Sequence, residues 1–248
     1  MAETIPPITP RSCLRWLALG WRDLWTQPLP GLLHGALIAG FGLLLLALAR
    51  DRFWLLAGAF SGFLIVAPIL ATGLYVVSQA LAAGRRAPLS EVLGLWRSGD
   101  GRLVRFGLLL ALAGTGWVLT SAGLITLASP VPIEKPLDFL RYVVLAPEPG
   151  LFEVWLLQGA LLAAPVYAST VVALPMLVAR PVAVHTAVGA SWRAVASHPL
   201  TLTLWAVLIA ALVALGMGLA LLGLVVAIPW LAHASWHAGR ELLADAER

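Results

Sequence analysis

Long apolar runs, separated by short segments that carry most of the charge, dominate the chain. Four of these runs, at about 31–49, 53–83, 103–128 and 151–179, are each long enough to cross a membrane as a helix. A helix of about 20 residues spans the hydrocarbon core, which is roughly 30 Å thick. The runs are apolar on every face rather than on one stripe, as expected of buried or membrane-spanning helices. The pattern predicts an all-α, polytopic membrane helix bundle.

A fifth apolar run, from 194 to 239, contains no Asp, Glu, Lys or Arg. As one helix it would be roughly 70 Å long at about 1.5 Å per residue, more than twice the thickness of the hydrocarbon core. We therefore predict that it folds back into two spans, 199–217 and 221–239, which makes six transmembrane helices in all. The predicted turn contains Gly216, Gly218 and Gly223, because glycine adopts turn dihedrals without steric cost.

A Trp-Arg pair recurs before three of the predicted spans, and in each case five residues separate it from a following apolar pair, Pro28-Leu29, Leu103-Val104 or Pro199-Leu200. Each pair lies in or beside a stretch whose apolar residues have helical spacing, which is typical of an amphipathic helix in the membrane interface. The pattern predicts three repeats, at about 11–84, 85–180 and 181–240, each an interfacial helix followed by a transmembrane hairpin. Three parallel hairpins imply pseudo-symmetry about the membrane normal. The pairs are Trp21-Arg22, Trp96-Arg97 and Trp192-Arg193.

The distribution of positive charge orients the six predicted spans. Loops on the cytoplasmic side of a membrane are enriched in Lys and Arg, so the more basic side should be cytoplasmic. This places both termini in the cytoplasm. Residues 11–248 then form a single integral membrane domain, preceded by a proline-rich segment, 1–10, that we expect to be disordered. Of the 16 Lys and Arg, the residues left on the opposite side are Arg50, Arg52, Lys135 and Arg141.

Composition supports membrane insertion and excludes several function classes. Only 11% of the residues are charged, against about 25% in soluble domains. Basic loops that meet anionic lipid account for the net charge of +4, so nucleic acid is not an expected partner. The chain has no GxSxG, HExxH, P-loop or GxGxxG motif, and we predict that it is not an enzyme. Asp23, Glu91 and Asp100 are expected to pair with neighbouring arginines.

Four segments of the chain form recognisable motifs. The longest is PILATGLYVVSQALAAGRRAPLSEVL at 68–93, which contains GLYxxS. The others are GWxDL at 20–24, a Pro-Met-Leu segment with a following arginine at 175–180, and PxLxHAxWH at 229–237. Together they resemble a bacterial family of predicted integral membrane proteins of unknown function. The resemblance implies a multi-pass protein of the bacterial inner membrane, and it implies no reaction.

Three histidines are the candidate ligands for a metal ion or haem. His233 and His237 are four residues apart and share a helix face, and His34 falls at a comparable depth near the start of the first span. Neutral imidazole nitrogens bind transition metals and haem iron. Alternatively, histidines near span ends hydrogen-bond to carbonyls or contact lipid headgroups. We favour this second interpretation and predict no cofactor.

Membrane lipids are the first predicted partners. Indole rings favour the membrane interface, and arginine side chains near the surface attract anionic lipid. Each predicted repeat supplies one such pair at the same depth, so the three pairs are the predicted headgroup-binding residues. They are Arg22, Arg97 and Arg193 with Trp21, Trp96 and Trp192.

Polar residues deep in the predicted spans are neutral, whereas ion-coupled transporters usually carry charged groups there. We therefore predict a non-enzymatic accessory or assembly protein that binds other membrane components, including lipids and another membrane protein complex. One alternative is a transporter or channel for a small or lipophilic solute, with a cavity at Tyr75, Gln79 and Tyr167. A second alternative is a haem- or metal-binding membrane protein.

Overall fold

A computed structural model describes residues 7–49, 51–146 and 150–247, with side chains for all of them except 60–68. Within this part of the chain every regular element is a helix, and the all-α prediction is confirmed. Most of the segment 1–10 that was predicted to be disordered lies outside the described residues, and so does Arg50.

Four helical segments are long and apolar enough to cross a membrane. Between 22% and 44% of each apolar window is buried inside the protein, so most of these side chains face outward. Such surfaces are stable only when lipid or another apolar partner covers them. These four segments do not test whether the chain has six transmembrane spans arranged as hairpins, so both stay predictions. The segments are α2 (Pro28–Ala49), α6 (Gly101–Ala128), α11 (Pro199–Gly218) and Leu151–Ala179, which comprises α8 (Leu151–Thr170) and α9 (Ala173–Ala179).

The run predicted as a second span, 53–83, consists of two helices, α3 (Phe53–Leu70) and α4 (Thr72–Ala82). At their junction the Thr72 hydroxyl donates to the Ile69 carbonyl, a local bond that competes with the helical ladder. The predicted sixth span corresponds to α12 (Leu224–Ala246).

The helix α12 continues past the predicted end at 239 because its polar end is held by other helices. The Glu241 carboxylate accepts hydrogen bonds from Arg15 and from the indole of Trp16. These hydrogen bonds hold Glu241 against α1, so α12 remains helical beyond the predicted end.

The turn between α11 and α12 lies where it was predicted, but the glycines have a different role. Ala220 and Leu221, not the glycines, have positive φ angles, 52° and 66°. Gly216 and Gly223 instead allow the two helix ends to approach each other, since a Cβ on Gly223 would lie 2.7 Å from the Cα of Gly216. The expectation that the glycines supply the turn dihedrals was wrong.

Three shorter helices each lie directly before an apolar helix. They are α1 (Ser12–Thr26), α5 (Leu89–Arg97) and α10 (Val184–Ser197), which precede α2, α6 and α11 respectively. One further short helix, α7 (Pro136–Phe139), continues into a π-helix (Leu140–Val144) within the segment that joins α6 to α8.

The described chain divides into two compact units, which do not coincide with the three predicted repeats. The core of the first unit forms around α12, against which α1, α4, α9 and α11 pack. The second unit has a core of Ile125, Ile133 and Val143, covered by aromatic side chains. The first unit takes in the described residues of Met1–Ala39, Pro68–Phe106 and Tyr167–Arg248, and the second those of Gly40–Ala67 and Gly107–Val166.

Candidate functional site

A buried acid–imidazole pair joins α1 to α12 in the first unit. Asp23 is 3% exposed and His237 is 4% exposed, and His237 Nε2 lies 2.7 Å from Asp23 Oδ2. Burial acts to raise the pKa of Asp23, but hydrogen bonds from His237 and Ser78 hold that pKa below its ordinary value. The carboxylate therefore accepts, and His237 Nε2 carries the proton.

The predicted pairing of Asp23 with its neighbouring arginine is present only at the limit of ion-pair distance. The nearest atoms of Asp23 and Arg22 are 3.9 Å apart and the Arg22 side chain is exposed, whereas Asp23 lies 2.7 Å from His237. Adjacent residues in a helix point in different directions, so α1 turns Asp23 toward α12 and Arg22 away from it. The other two acids do pair as predicted, Glu91 with Arg85 and Asp100 with Arg102.

A second buried contact joins α4 to the same face of α12. Ser78 and His233 are both fully buried, and Ser78 Oγ lies 2.7 Å from His233 Nδ1. Ser78 also lies close enough to Asp23 to help lower the pKa of that carboxyl group. The tautomer of His233 sets which of Ser78 Oγ and His233 Nδ1 is the donor in this contact. The result is a continuous polar network, His233–Ser78–Asp23–His237, that ties together α1, α4 and α12.

Each of three histidines keeps one buried ring nitrogen without a partner in the described part of the chain. His34 Nδ1 donates to the Pro30 carbonyl at 2.8 Å, which leaves Nε2 as a lone pair. His233 Nε2 and His237 Nδ1 are likewise buried without a hydrogen-bond partner. The structure therefore places all three predicted histidine ligands in the first unit, each with one unpartnered ring nitrogen among the described residues.

Glu241 lies one helical turn beyond His237 on α12, and the hydrogen bonds that it accepts from α1 form a charged clamp between the two helices. Glu241 accepts from Arg15 at 3.0 and 2.7 Å and from Trp16 Nε1 at 2.7 Å. Sequence reasoning missed this clamp, as it missed the roles of Asp23 and Ser78. The spacing of His233, His237 and Glu241, four residues apart each time, was the available signal, because such residues line one face of a helix.

The network lacks the arrangement of a hydrolytic triad or of a multi-ligand metal centre. In a Ser-His-Asp triad one imidazole bridges serine and aspartate, whereas here two different histidines contact Ser78 and Asp23. Among the described residues no group of three or more His, Cys, Asp or Glu side chains could hold a metal ion. What the network can do is fix three helices against one another and present imidazole ring nitrogens.

The three predicted Trp-Arg pairs lie on the surface of the first unit. All six side chains are exposed. All three indoles also contact neighbouring helices: Trp192 through a hydrogen bond to Ser169, Trp21 edge-on against Trp230, and Trp96 against the imidazole of His34. Each pair therefore lies in a short helix directly before an apolar helix and is only partly covered by these contacts.

The three residues of the predicted cavity have different surroundings. Tyr75 is buried, Gln79 is exposed on the same helix, and the Tyr167 hydroxyl donates to the Leu202 carbonyl at 2.8 Å. A transporter or channel stays a prediction.

Comparison with known protein families shows which family the chain resembles. A family model described as a predicted integral membrane protein (DUF2189) matches residues 55–179, about half of the chain. No curated protein and no solved structure matches. The resemblance inferred from the motifs is confirmed at the level of a membrane family of unknown function.

Proposed function

Because this chain belongs to the DUF2189 family of predicted integral membrane proteins, we propose that it is a non-enzymatic membrane protein that acts by binding other membrane components, as an accessory or assembly protein. Anionic lipid on the cytoplasmic leaflet of the bacterial inner membrane is the first such component. A membrane protein complex is the second.

One observation carries this proposal, the exposure of a Trp-Arg pair on each of the helices α1, α5 and α10. Each helix ends one to three residues before an apolar helix begins, so its exposed side chains belong near the membrane surface. Indole favours that depth, and each arginine near an anionic surface contributes about 1 kcal/mol to the attraction. Arg22, Arg97 and Arg193 together provide three such contributions, which favours lipid headgroups as ligands.

Replacing all three arginines with glutamine is expected to weaken the retention of anionic lipid about 100-fold. The three contributions of about 1 kcal/mol amount to roughly two factors of ten. Mass spectrometry of the protein, purified in particles of native membrane, measures the bound lipid. The same spectra identify any protein that remains bound. The substitutions are Arg22→Gln, Arg97→Gln and Arg193→Gln.

A matched control removes the same charge from the side predicted to be outside. Arg52, Lys135 and Arg141 are exposed, and their replacement with glutamine should leave the retained anionic lipid within a factor of about three of the wild type. An equal loss in both triple variants would mean that net charge alone attracts the lipid. Recovery of the wild type as a lone chain, with neither lipid nor protein bound, would contradict the proposal as a whole.

A second candidate function, the binding of haem or a transition metal, is favoured by the hydrogen bonds of the three histidines. Histidines that bind metals usually donate the other ring N–H to a carboxylate, a carbonyl or water, which fixes the ring and its tautomer. His34 has this arrangement with a carbonyl and His237 with a carboxylate, and His233 Nδ1 lies 2.7 Å from the Ser78 hydroxyl oxygen. A haem iron takes one or two protein ligands, so this candidate does not require a group of three.

If this candidate is correct, the purified protein has a Soret band or carries about one metal ion per chain. His34→Ala and His233→Ala should each remove the signal, because each deletes a buried, unpartnered ring nitrogen. His185 is exposed, and His185→Ala should leave the signal unchanged. The visible absorption spectrum, together with elemental analysis, is the measurement. Neither a Soret band nor bound metal in the wild type would end this candidate.

A further inference from the structure

The segment that joins α6 to α8 is attached to the ends of three helices in the second unit. The backbone N–H of Phe53, at the start of α3, donates to the Glu134 carbonyl at 2.8 Å. The rings of Phe53 and Phe139 are stacked, with centroids 5.2 Å apart, and Phe139 also meets Trp155 near the start of α8. The helices α6 and α8 each belong to an apolar segment that is long enough to cross a membrane. The segment that joins their ends therefore lies at a membrane surface.

In this segment, residues 136–145 have one face that packs against the core of the second unit. Val143 and, just before the helix, Ile133 are buried in the core of the unit, and Phe139 packs against the same cluster. Phe139 and Val143 are four residues apart, so they define one face of the helix. The Asp138 carboxylate accepts from the backbone of Lys135 and Glu134, which fixes the start of the helix.

The outward face carries large apolar side chains. Leu145 is 66% exposed, and Leu137, Leu140 and Tyr142 are between 41% and 50% exposed. Leaving such groups in water costs free energy in proportion to their apolar area. A loop that projected into water would be expected to carry polar residues at these positions. The exposed apolar surface continues at the last turn of α6, where Leu127 is 90% exposed.

We propose that the segment 136–145 lies in the membrane interface, with Leu137, Leu140 and Leu145 inserted among the lipids at the level where α6 ends and α8 begins. The occupant of this surface is the bilayer itself, because the face is continuous with the apolar surface of a spanning helix and is attached at both ends to such helices. Lys135 and Arg141 are exposed, so their long side chains can keep their charges on the aqueous side of the segment, and Tyr142 is a residue type that favours this depth.

Fluorescence quenching tests the position of the segment. The full chain is used with Cys13→Ser, because Cys13 is the single cysteine and its buried thiol donates only to the Thr201 carbonyl, a bond that serine can also make. A second substitution, Leu140→Cys, carries an NBD fluorophore, and the protein is placed in vesicles of phosphatidylcholine and phosphatidylglycerol. The matched control is Glu134→Cys, an exposed polar position of the same segment.

If the segment lies among the lipids, nitroxide on the upper acyl chain quenches the label at 140 at least about three times more strongly than the label at 134, while iodide in the water quenches the label at 134 more strongly. Equal quenching of both labels by iodide would overturn the proposal and place the segment in water. Protection of the label at 140 from both quenchers, with disulfide-linked dimers of the unlabelled Leu140→Cys protein, would overturn it in favour of a second copy of the chain.

Discussion

Replacing Asp23 with alanine is expected to lower the free energy of unfolding by about 3 kcal/mol, the upper end of the roughly 1–3 kcal/mol that an unsatisfied buried polar group costs. Both side chains of the Asp23–His237 pair are 5% exposed, so the His237 N–H would lose its acceptor without gaining access to water. Thermal unfolding in detergent, followed by tryptophan fluorescence, measures the change.

The variant Asp23→Asn separates the charge from the hydrogen bonds, since its amide oxygen can still accept from His237. Burial raises the pKa of Asp23, but the hydrogen bonds from His237 and Ser78 more than offset this and leave the pKa lowered in the folded protein. A lowered pKa contributes stability that is complete above the ordinary value of about 3.9 and is lost as the pH falls through the folded value. The asparagine variant should therefore lose less stability than the wild type across that acidic range.

An exposed ion pair provides the control for Asp23→Ala. Glu91 accepts two hydrogen bonds from Arg85, at 2.7 and 2.8 Å, so its geometry is at least as good as that of the buried pair. Its partner is about half exposed, however, and water and salt screen an exposed pair so that it contributes little to stability. A loss for Glu91→Ala as large as that for Asp23→Ala would show that burial of Asp23 against α12 is not what makes the pair important.

The long helices could be predicted from the sequence because their signal is local. An apolar run with no charge must be covered along its whole length, so the run itself marks the helix. The predicted spans 31–49, 103–128 and 199–217 correspond to α2, α6 and α11 with ends that differ by at most three residues. The helix α12 differs more, because what extends it to Ala246 is a contact with α1 that no local pattern contains.

The turn before α12 shows a second limit of local reasoning. Glycine has two common uses, positive φ angles and close backbone approach, and composition does not tell them apart. At Gly216 and Gly223 the neighbouring helix end decides the use, and it is close approach. Ala220 and Leu221, which carry the positive φ angles, give no such signal in the sequence.

The candidate site could be predicted only in part, because local sequence patterns do not show which helices contact one another. His233 and His237 were found because their spacing places them on one helix face. Asp23 was assigned to the surface because an arginine precedes it, although its partner lies 214 positions away in the chain. Ser78 is 155 positions from His233. Contacts at such separations depend on how the helices pack, which the spacing of residues within each helix does not specify.

Replacing Gly35 with alanine is expected to destabilise the protein by about 3 kcal/mol, the upper part of the usual range for overpacking. Gly35 lies in α2, and a Cβ added there would be 2.1 Å from the carbonyl oxygen of Val225 in α12. Because that atom belongs to the backbone, no side-chain rotation can relieve the clash, and one of the two helices must move. Small residues at such contacts are what allow membrane helices to approach closely. Thermal unfolding in detergent again provides the measurement.

The same helix supplies a control that should change stability in the opposite direction. A Cβ on Gly40, five residues further along α2, would meet no atom of the described residues within 4 Å. There the intrinsic preference of alanine for the helix is unopposed and favours the folded state by roughly 0.5–1 kcal/mol. The same change from glycine to alanine is thus expected to lower the midpoint of thermal unfolding when it is made at position 35 and to raise it slightly when it is made at position 40. If both variants raised the midpoint, α2 and α12 could not be in contact at Gly35, and the packing around α12 that positions Asp23 and His237 would have to be different.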